Sequence, residues 1–166
     1  MKQLFENWHH FISEQEEEKT KLAKIAIFDS QNRALIVKRA SGTSWMPGKW
    51  SLVGGHVEEG ETAEEGMRRE TKEETSLDLG SMDLISVDTI QMEGKDDLAN
   101  IHFYATREFT GDITLDYEND DFAWIAMEEI EQYDSVPDLK SSLKKALEWL
   151  DSHESPGQRA GMGWSN

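Results

Sequence analysis

"GGHVEEGETAEEGMRRETKEETSL", running from Gly54 to Leu77, sets two glycines ahead of a segment dense in glutamate. Thr62 with Glu65 three residues on forms a capping box, and no proline follows before Thr75, so the spacing predicts a helix over 62–75. Residues three and four apart share a helix face, which crowds Glu70, Glu73 and Glu74 into one stripe. Like charges at that spacing repel, and the C-terminal half of a helix favours positive charge. The arrangement costs stability, and Arg69 pairs with only part of the charge. A hard cation such as Mg²⁺ takes oxygen ligands from a few carboxylates, water and substrate phosphate. Gly54 and Gly55, lacking Cβ, allow a strained backbone path that brings a carbonyl to the same ion. A solvated acidic helix face is the alternative at this point.

Outward from this helix, "LAKIAIFD" and "ALIVKRA" read as β-strands joined by a short turn around Ser30 to Arg33, as in a hairpin. "SGTSWMPGKW" reads as a loop, and "WSLVGGHV" as a strand ending at the glycine pair. "DLISVDTIQM" and "IHFYATREF" are strands joined by the acidic loop "EGKDDLAN", and "FAWIA" is a short strand after "LDYENDD". Leu139, Leu143, Leu147 and Leu150 mark a closing amphipathic helix. Strands on both sides of a central helix, with a second helix at the end, predict an α+β or α/β/α domain.

At the N-terminus Leu4, Phe5, Trp8, Phe11 and Ile12 recur at helical spacing. Residues 1–18 therefore read as an accessory amphipathic helix with a polar connector, 19–152 as the main domain and 153–166 as a flexible tail. The helix is expected to dock on its own domain or to join two copies in a homodimer. The chain has 166 residues, 34 acidic against 17 basic, a formal charge of -17 and no cysteine. Any metal must then use oxygen or imidazole ligands, and a cytoplasmic setting is expected. The charge disfavours nucleic acid and anionic membranes as partners, and no run of ~18 apolar residues offers a membrane span.

Gly55, Glu61, Arg69, Glu70, Glu73, Glu74 and Leu77, at their spacings, resemble the Nudix box, the signature of the Nudix hydrolase family. Every charged position of the box matches. Thr71 takes the place of the usual aliphatic residue and is expected to weaken helix packing; Ser76 takes the place of the usual glycine, at a helix end where positive φ is common. The resemblance implies the Nudix fold, an α/β/α sandwich with a mixed central sheet, and a pyrophosphohydrolase cleaving the diphosphate of a nucleoside diphosphate linked to another moiety. It implies Glu70, Glu73, Glu74 and the Gly55 carbonyl as metal ligands, with Mg²⁺ as the ion and Mn²⁺ as substitute, and Glu61 with Arg69 as a brace. Glu118, a few residues ahead of Trp124, is expected as a further ligand or general base. A Nudix-fold module that binds a nucleotide without cleaving it is the alternative, disfavoured by the intact carboxylate set.

Beside the box, Arg39 at a strand end is placed to bind a substrate phosphate, or else to pair with a nearby acid. Trp45 is placed to stack a base or sugar, while Trp50 belongs to the core. His56 is read as supporting the site rather than acting in it, and His9 and His10 as exposed. The expected partner is a small nucleotide-diphosphate substrate, which needs no broad basic surface.

Overall fold

In the computed structural model, residues 1–7, 19–92, 94 and 97–154 are described. Nine strands alternate with two long helices: β1 Thr20–Ile27, β2 Ala34–Arg39, β3 Trp50–Ser51, β4 Val53–His56, α1 Ala63–Thr75, β5 Asp78–Leu79, β6 Asp83–Gln91, β7 Leu98–Thr106, β8 Phe109–Thr110, β9 Asn119–Ile125 and α2 Leu139–His153. A short 3-10 helix, Met127–Gln132, lies between β9 and α2. The sheets are β4-β1-β7-β6, β3-β2-β9 and the small β5-β8. Among the strand ladders of the described residues, β1 with β7 is parallel and the others are antiparallel, so the main sheet is mixed.

The expected hairpin of β1 and β2 is corrected by this topology. The turn forms as read: Asp29 Oδ1 accepts from the backbone N–H of Gln31 and of Arg33, both at 2.9 Å, and Asn32 takes φ 57°. Past the bridge from Phe28 to Ala34 the two strands form no ladder with each other and enter different sheets. Burial explains this. β2 is buried at four consecutive positions, Ala34 to Val37, because both of its faces are covered. Leu35 and Val37 join Ile25, Ile27, Val53, Tyr104 and the α1 residue Met67 in one core. Ala34 and Ile36 join Ala26, Phe28, Phe103, Ile125 and Leu139, Leu143, Ala146 and Leu150 of α2 in another. The strands are thus sandwiched between α1 and α2, the α/β/α architecture expected.

Strand β4 continues through both glycines to His56 rather than ending at them. β7 begins at Leu98, so its first residues come from the expected acidic loop, and α2 runs to His153, into the expected tail. At the N-terminus residues 2–7 are helical, with Leu4 and Phe5 exposed; Trp8, Phe11, Ile12, His9 and His10 lie outside the described residues, as does 155–166.

Thr71 does not leave a polar gap under α1. It is fully buried, and its hydroxyl donates to the Met67 carbonyl at 2.9 Å, while the Thr75 hydroxyl donates to the Thr71 carbonyl. Such bonds back to the preceding turn satisfy the hydroxyl without adding to the helix, whose carbonyls already have partners. Thr71→Val keeps the shape and removes a polar group from the core, so its thermal midpoint should equal or exceed the parent's, with a gain of up to ~1 kcal/mol; a clear loss in the melt would show that the hydroxyl stabilises the fold.

Candidate active site

Helix α1 begins as its sequence dictates. Thr62 takes an extended conformation, its side chain accepts from the Glu65 N–H, and the Glu65 carboxylate accepts from the Thr62 N–H at 2.7 Å. The helix ends at Ser76, in the left-handed region at φ 64°, as expected of a position where glycine is usual. The Ser76 hydroxyl donates to the Thr114 carbonyl at 3.1 Å, tying the helix end to the segment before β9.

The glutamate stripe is graded from exposed to buried. Glu73 has 55% of its side chain exposed, Glu70 14%, and Glu74 as a residue only 5%. Glu70 lies directly over Gly55, since a Cβ there would sit 2.4 Å from the Glu70 carboxyl carbon. Gly54 is as constrained: a Cβ would meet the Ala23 carbonyl oxygen at 2.5 Å. The pair is therefore needed for close approach, on one side to β1 and on the other to α1. Glu74 accepts a hydrogen bond from the Gly54 backbone, yet burial, and then the charges of Glu70, Glu118 and Asp116, push its carboxyl up to about 8. Burial also raises Glu70, against the opposing pull of Arg69.

Arg69 organises the rest. It donates to Glu61 at 2.7 and 3.2 Å, to Glu70 at 3.0 Å, to Glu73 at 3.1 Å and to the His56 carbonyl at 2.9 Å. The hydrogen bond from Arg69 holds Glu61 below the usual carboxylate range, and Glu61 also accepts from the Glu58 N–H. Glu61 and Arg69 thus tie the loop 57–61 to α1, as the brace read from the sequence. His56 contributes its backbone to this network, while its side chain is exposed.

Glu118 immediately precedes β9 and is brought to the same place by backbone contacts. Thr114 N–H donates to the Thr75 carbonyl at 2.9 Å, Asp116 N–H to the Glu74 carbonyl at 3.3 Å, and Glu118 N–H to Asp116 Oδ1 at 3.0 Å. Asp116 is a member of the cluster that the sequence reading passed over; its signal was an acid two residues before Glu118. Asp120 and Asp121, at the start of β9, are both exposed. Ala40 N–H donates to the Glu118 carbonyl at 2.8 Å, which couples the 41–49 loop to this corner. At the end of β2, Arg39 pairs with no acid among the described residues. Its Nε donates to the Trp45 carbonyl at 2.7 Å and its guanidinium lies 5.0 Å from the Trp45 ring centre. Trp45 is 45% exposed, whereas Trp50 packs edge-on against Tyr133 beside the core.

Among the described residues, no three acids or imidazoles already converge on one point with the geometry of a bound ion. Arg69 holds Glu61, Glu70 and Glu73 in ion pairs instead. The donor set nonetheless suits a hard divalent cation: all carboxylate oxygen, mutually repelling, and packed over a glycine strand that leaves no room for a side chain.

Gly66 is a further residue the sequence reading missed. It is buried in the first turn of α1, where glycine is a poorer helix former than alanine, and a Cβ there would meet Glu61 Oε1 at 2.9 Å and Val57 at 3.2 Å. Gly66→Ala should therefore forfeit the usual helix gain and displace Glu61, lowering turnover about tenfold or more while far-UV circular dichroism stays unchanged. The raised Glu74 predicts a pH effect on the chelated, metal-free protein. The folded state retains a proton that the unfolded chain releases near 4.5, so stability falls as pH rises from 4.5 toward about 8. Thermal melts across that range should show the decline, and Glu74→Gln should flatten it.

Residues 19–150 match the family model of the NUDIX domain. The nucleoside triphosphatase NudI of Salmonella schwarzengrund (strain CVM19633) is 33% identical over 109 residues, covering 60% of this chain and 77% of that protein, and NudI of Salmonella agona (strain SL483) matches equally. Among solved structures, the MutT protein of Methanosarcina mazei Go1 superposes with a TM-score of 0.68 at 21% identity, over 82% of this chain and 99% of that one. The NUDIX domain of Shewanella oneidensis NrtR complexed with ADP ribose gives 0.68 at 17% identity, over 80% and 88%. With the box residues gathered on α1 and its glycine strand, the chain belongs to the NUDIX family and is a pyrophosphohydrolase of that family, whose members generally need a divalent metal.

Proposed function

We propose that this enzyme hydrolyses a phosphoanhydride of a nucleoside triphosphate, with Mg²⁺ as its metal and Mn²⁺ as a substitute. The observation that carries this reading is the buried carboxylate of Glu74, with the charges of Glu70, Glu118 and Asp116 bearing on it. So much like charge in a low-dielectric position asks for cations. Glu70, Glu73, Glu74, Glu118 and the Gly55 carbonyl would hold them, and the similarity to the nucleoside triphosphatases supports the substrate class.

A bound divalent ion neutralises the diphosphate and lowers the pKa of a water. The protein's own groups do the remainder. Glu61 and Arg69 keep α1 and the 57–61 loop in register, so the carboxylates keep their spacing. Arg39, stacked on Trp45, binds a phosphate oxygen, and the exposed Trp45 ring packs on the base or sugar. Glu118 accepts a proton as water adds to phosphorus; the anhydride P–O bond breaks and the leaving phosphate carries away the electron pair. A small, mobile nucleotide fits a chain of charge -17 better than nucleic acid does, and the cytoplasm suits that substrate.

A panel of nucleoside triphosphates, sugar nucleotides and ADP-ribose, with nucleotide and phosphate products measured for each, tests the substrate. Nucleoside triphosphates should give the highest kcat/KM; preference for ADP-ribose would move the assignment within the family, and binding without turnover would indicate a sensing module. Glu74→Gln should stay folded and lose at least ~10²-fold in turnover. Mg²⁺ should raise the thermal midpoint of the parent and do so less in this variant.

A further inference from the structure

Strand β6 is the outermost strand of the β4-β1-β7-β6 sheet. One of its edges pairs with β7 from Asp83 to Gln91, and no strand among the described residues meets the other. Nine residues is a long edge. Its sequence, DLISVDTIQ, contains no proline, lysine or arginine; a bulge between Leu84 and Ser86 and the charges of Asp83 and Asp88 are the features that restrict how another chain can pair with it. It also exposes apolar side chains: Leu84 is 45% exposed, Val87 50% and Ile90 38%, with Leu98 of β7 at 41%. The opposite edge of the sheet, β4, is only four residues long and has α1 packed against it.

We propose that two copies of the chain form a dimer by pairing these edges, β6 against β6, antiparallel about a twofold axis at Val87. Val87 lies in the regular part of the strand, past the bulge between Leu84 and Ser86, and an axis there sets Ser86, Val87 and Asp88 of one copy against Asp88, Val87 and Ser86 of the other. An axis at Asp88 would set two aspartates opposite each other, which is unfavourable. A one-residue slip would oppose side chains that point to different faces. With the axis at Val87 the two Val87 side chains meet, and Ser86 of one copy lies opposite Asp88 of the other.

Charge favours the same register. Ser86 and Asp88 are on the face covered by α2: Lys145 of α2 donates to Ser86 Oγ at 3.0 Å, and Ser86 Oγ donates to Asp88 of its own strand at 2.8 Å. The Asp88 carboxylate of the second copy, opposite Ser86, therefore arrives beside the Lys145 ammonium. By symmetry the ion pair forms twice. The main-chain pairing and the Val87 contact supply affinity, and the Lys145 to Asp88 pairs select the register.

This dimer replaces the one expected of the N-terminal helix, and the two are separable. β1 starts at Thr20, beside Ala99, which also pairs with Ile90 of β6. β1 is thus separated from the β6 edge by β7.

Sedimentation analysis of the full chain should give a dimer. Val87→Lys puts a charge at the axis and should give a monomer with unchanged circular dichroism and hydrolysis. Asp88→Lys should weaken association about tenfold or more, and the double variant Asp88→Lys with Lys145→Asp should restore it. Deleting residues 1–18 should leave the dimer intact. A monomeric parent, a dimer that survives both single substitutions, or a dimer lost on deleting residues 1–18 would overturn the proposal. Were Val87→Lys not to fold, the charge reversal at 88 and 145 decides alone: failure of the double variant to recover the dimer counts against the interface.

Discussion

Glu74 is a carboxylate placed where a carboxylate is hard to keep. It is held on the inner side of α1 beneath a glycine pair, with Glu70, Glu118 and Asp116 bearing on it, and its own burial is the largest cause of its raised pKa. The surrounding geometry follows from this placement. Gly55 must lack a side chain because Glu70 fills that space, and Gly54 because β1 does. Arg69 must draw its counter-charge from Glu61, Glu70 and Glu73 together, a single guanidinium spread across three carboxylates. In the metal-free protein, burial and the neighbouring charges favour the protonated carboxyl.

The fold meets this demand by keeping the surrounding scaffold apolar and closed. β2 is covered on both faces, and the turn at Asp29 sends β1 and β2 into separate sheets, each contributing to the two cores. Between those sheets the segment Thr114 to Glu118 runs along the end of α1, bonded to the Thr75 and Glu74 carbonyls. These bonds use carbonyls that the helix end would otherwise leave without partners. They also deliver Asp116 and Glu118 to the cluster. A helix terminus and a cluster of carboxylates are thus built by the same contacts. The 41–49 loop joins the corner through Ala40 and Glu118, so the positions of Trp45 and of the carboxylates are mechanically linked.

How far a residue could be read in advance depended on how local its reason was. The capping box at Thr62 and Glu65, the left-handed Ser76 and the stripe of Glu70, Glu73 and Glu74 concern residues a few positions apart, and all appear as read. The box spacing likewise made the family legible from one short stretch. How the buried Thr71 hydroxyl is satisfied, by the Met67 carbonyl one turn back, follows from the helix it sits in and not from its place in the box. Gly66 was passed over because a glycine inside a helix carries no local signal of what it makes room for.

The sequence by itself determined the helix, its caps, the order of strands and the identity of the acids, since these follow from side-chain chemistry and the 3.6-residue period of the helix. Only the tertiary structure decided that Glu74 is buried while Glu73 is exposed, that Asp116 and Glu118 reach the glutamates from forty residues away, and that β1 and β2 part company after their turn. Those outcomes depend on which faces are covered by distant segments. A periodic pattern states which residues share a face, and the packing partner states how much water that face retains.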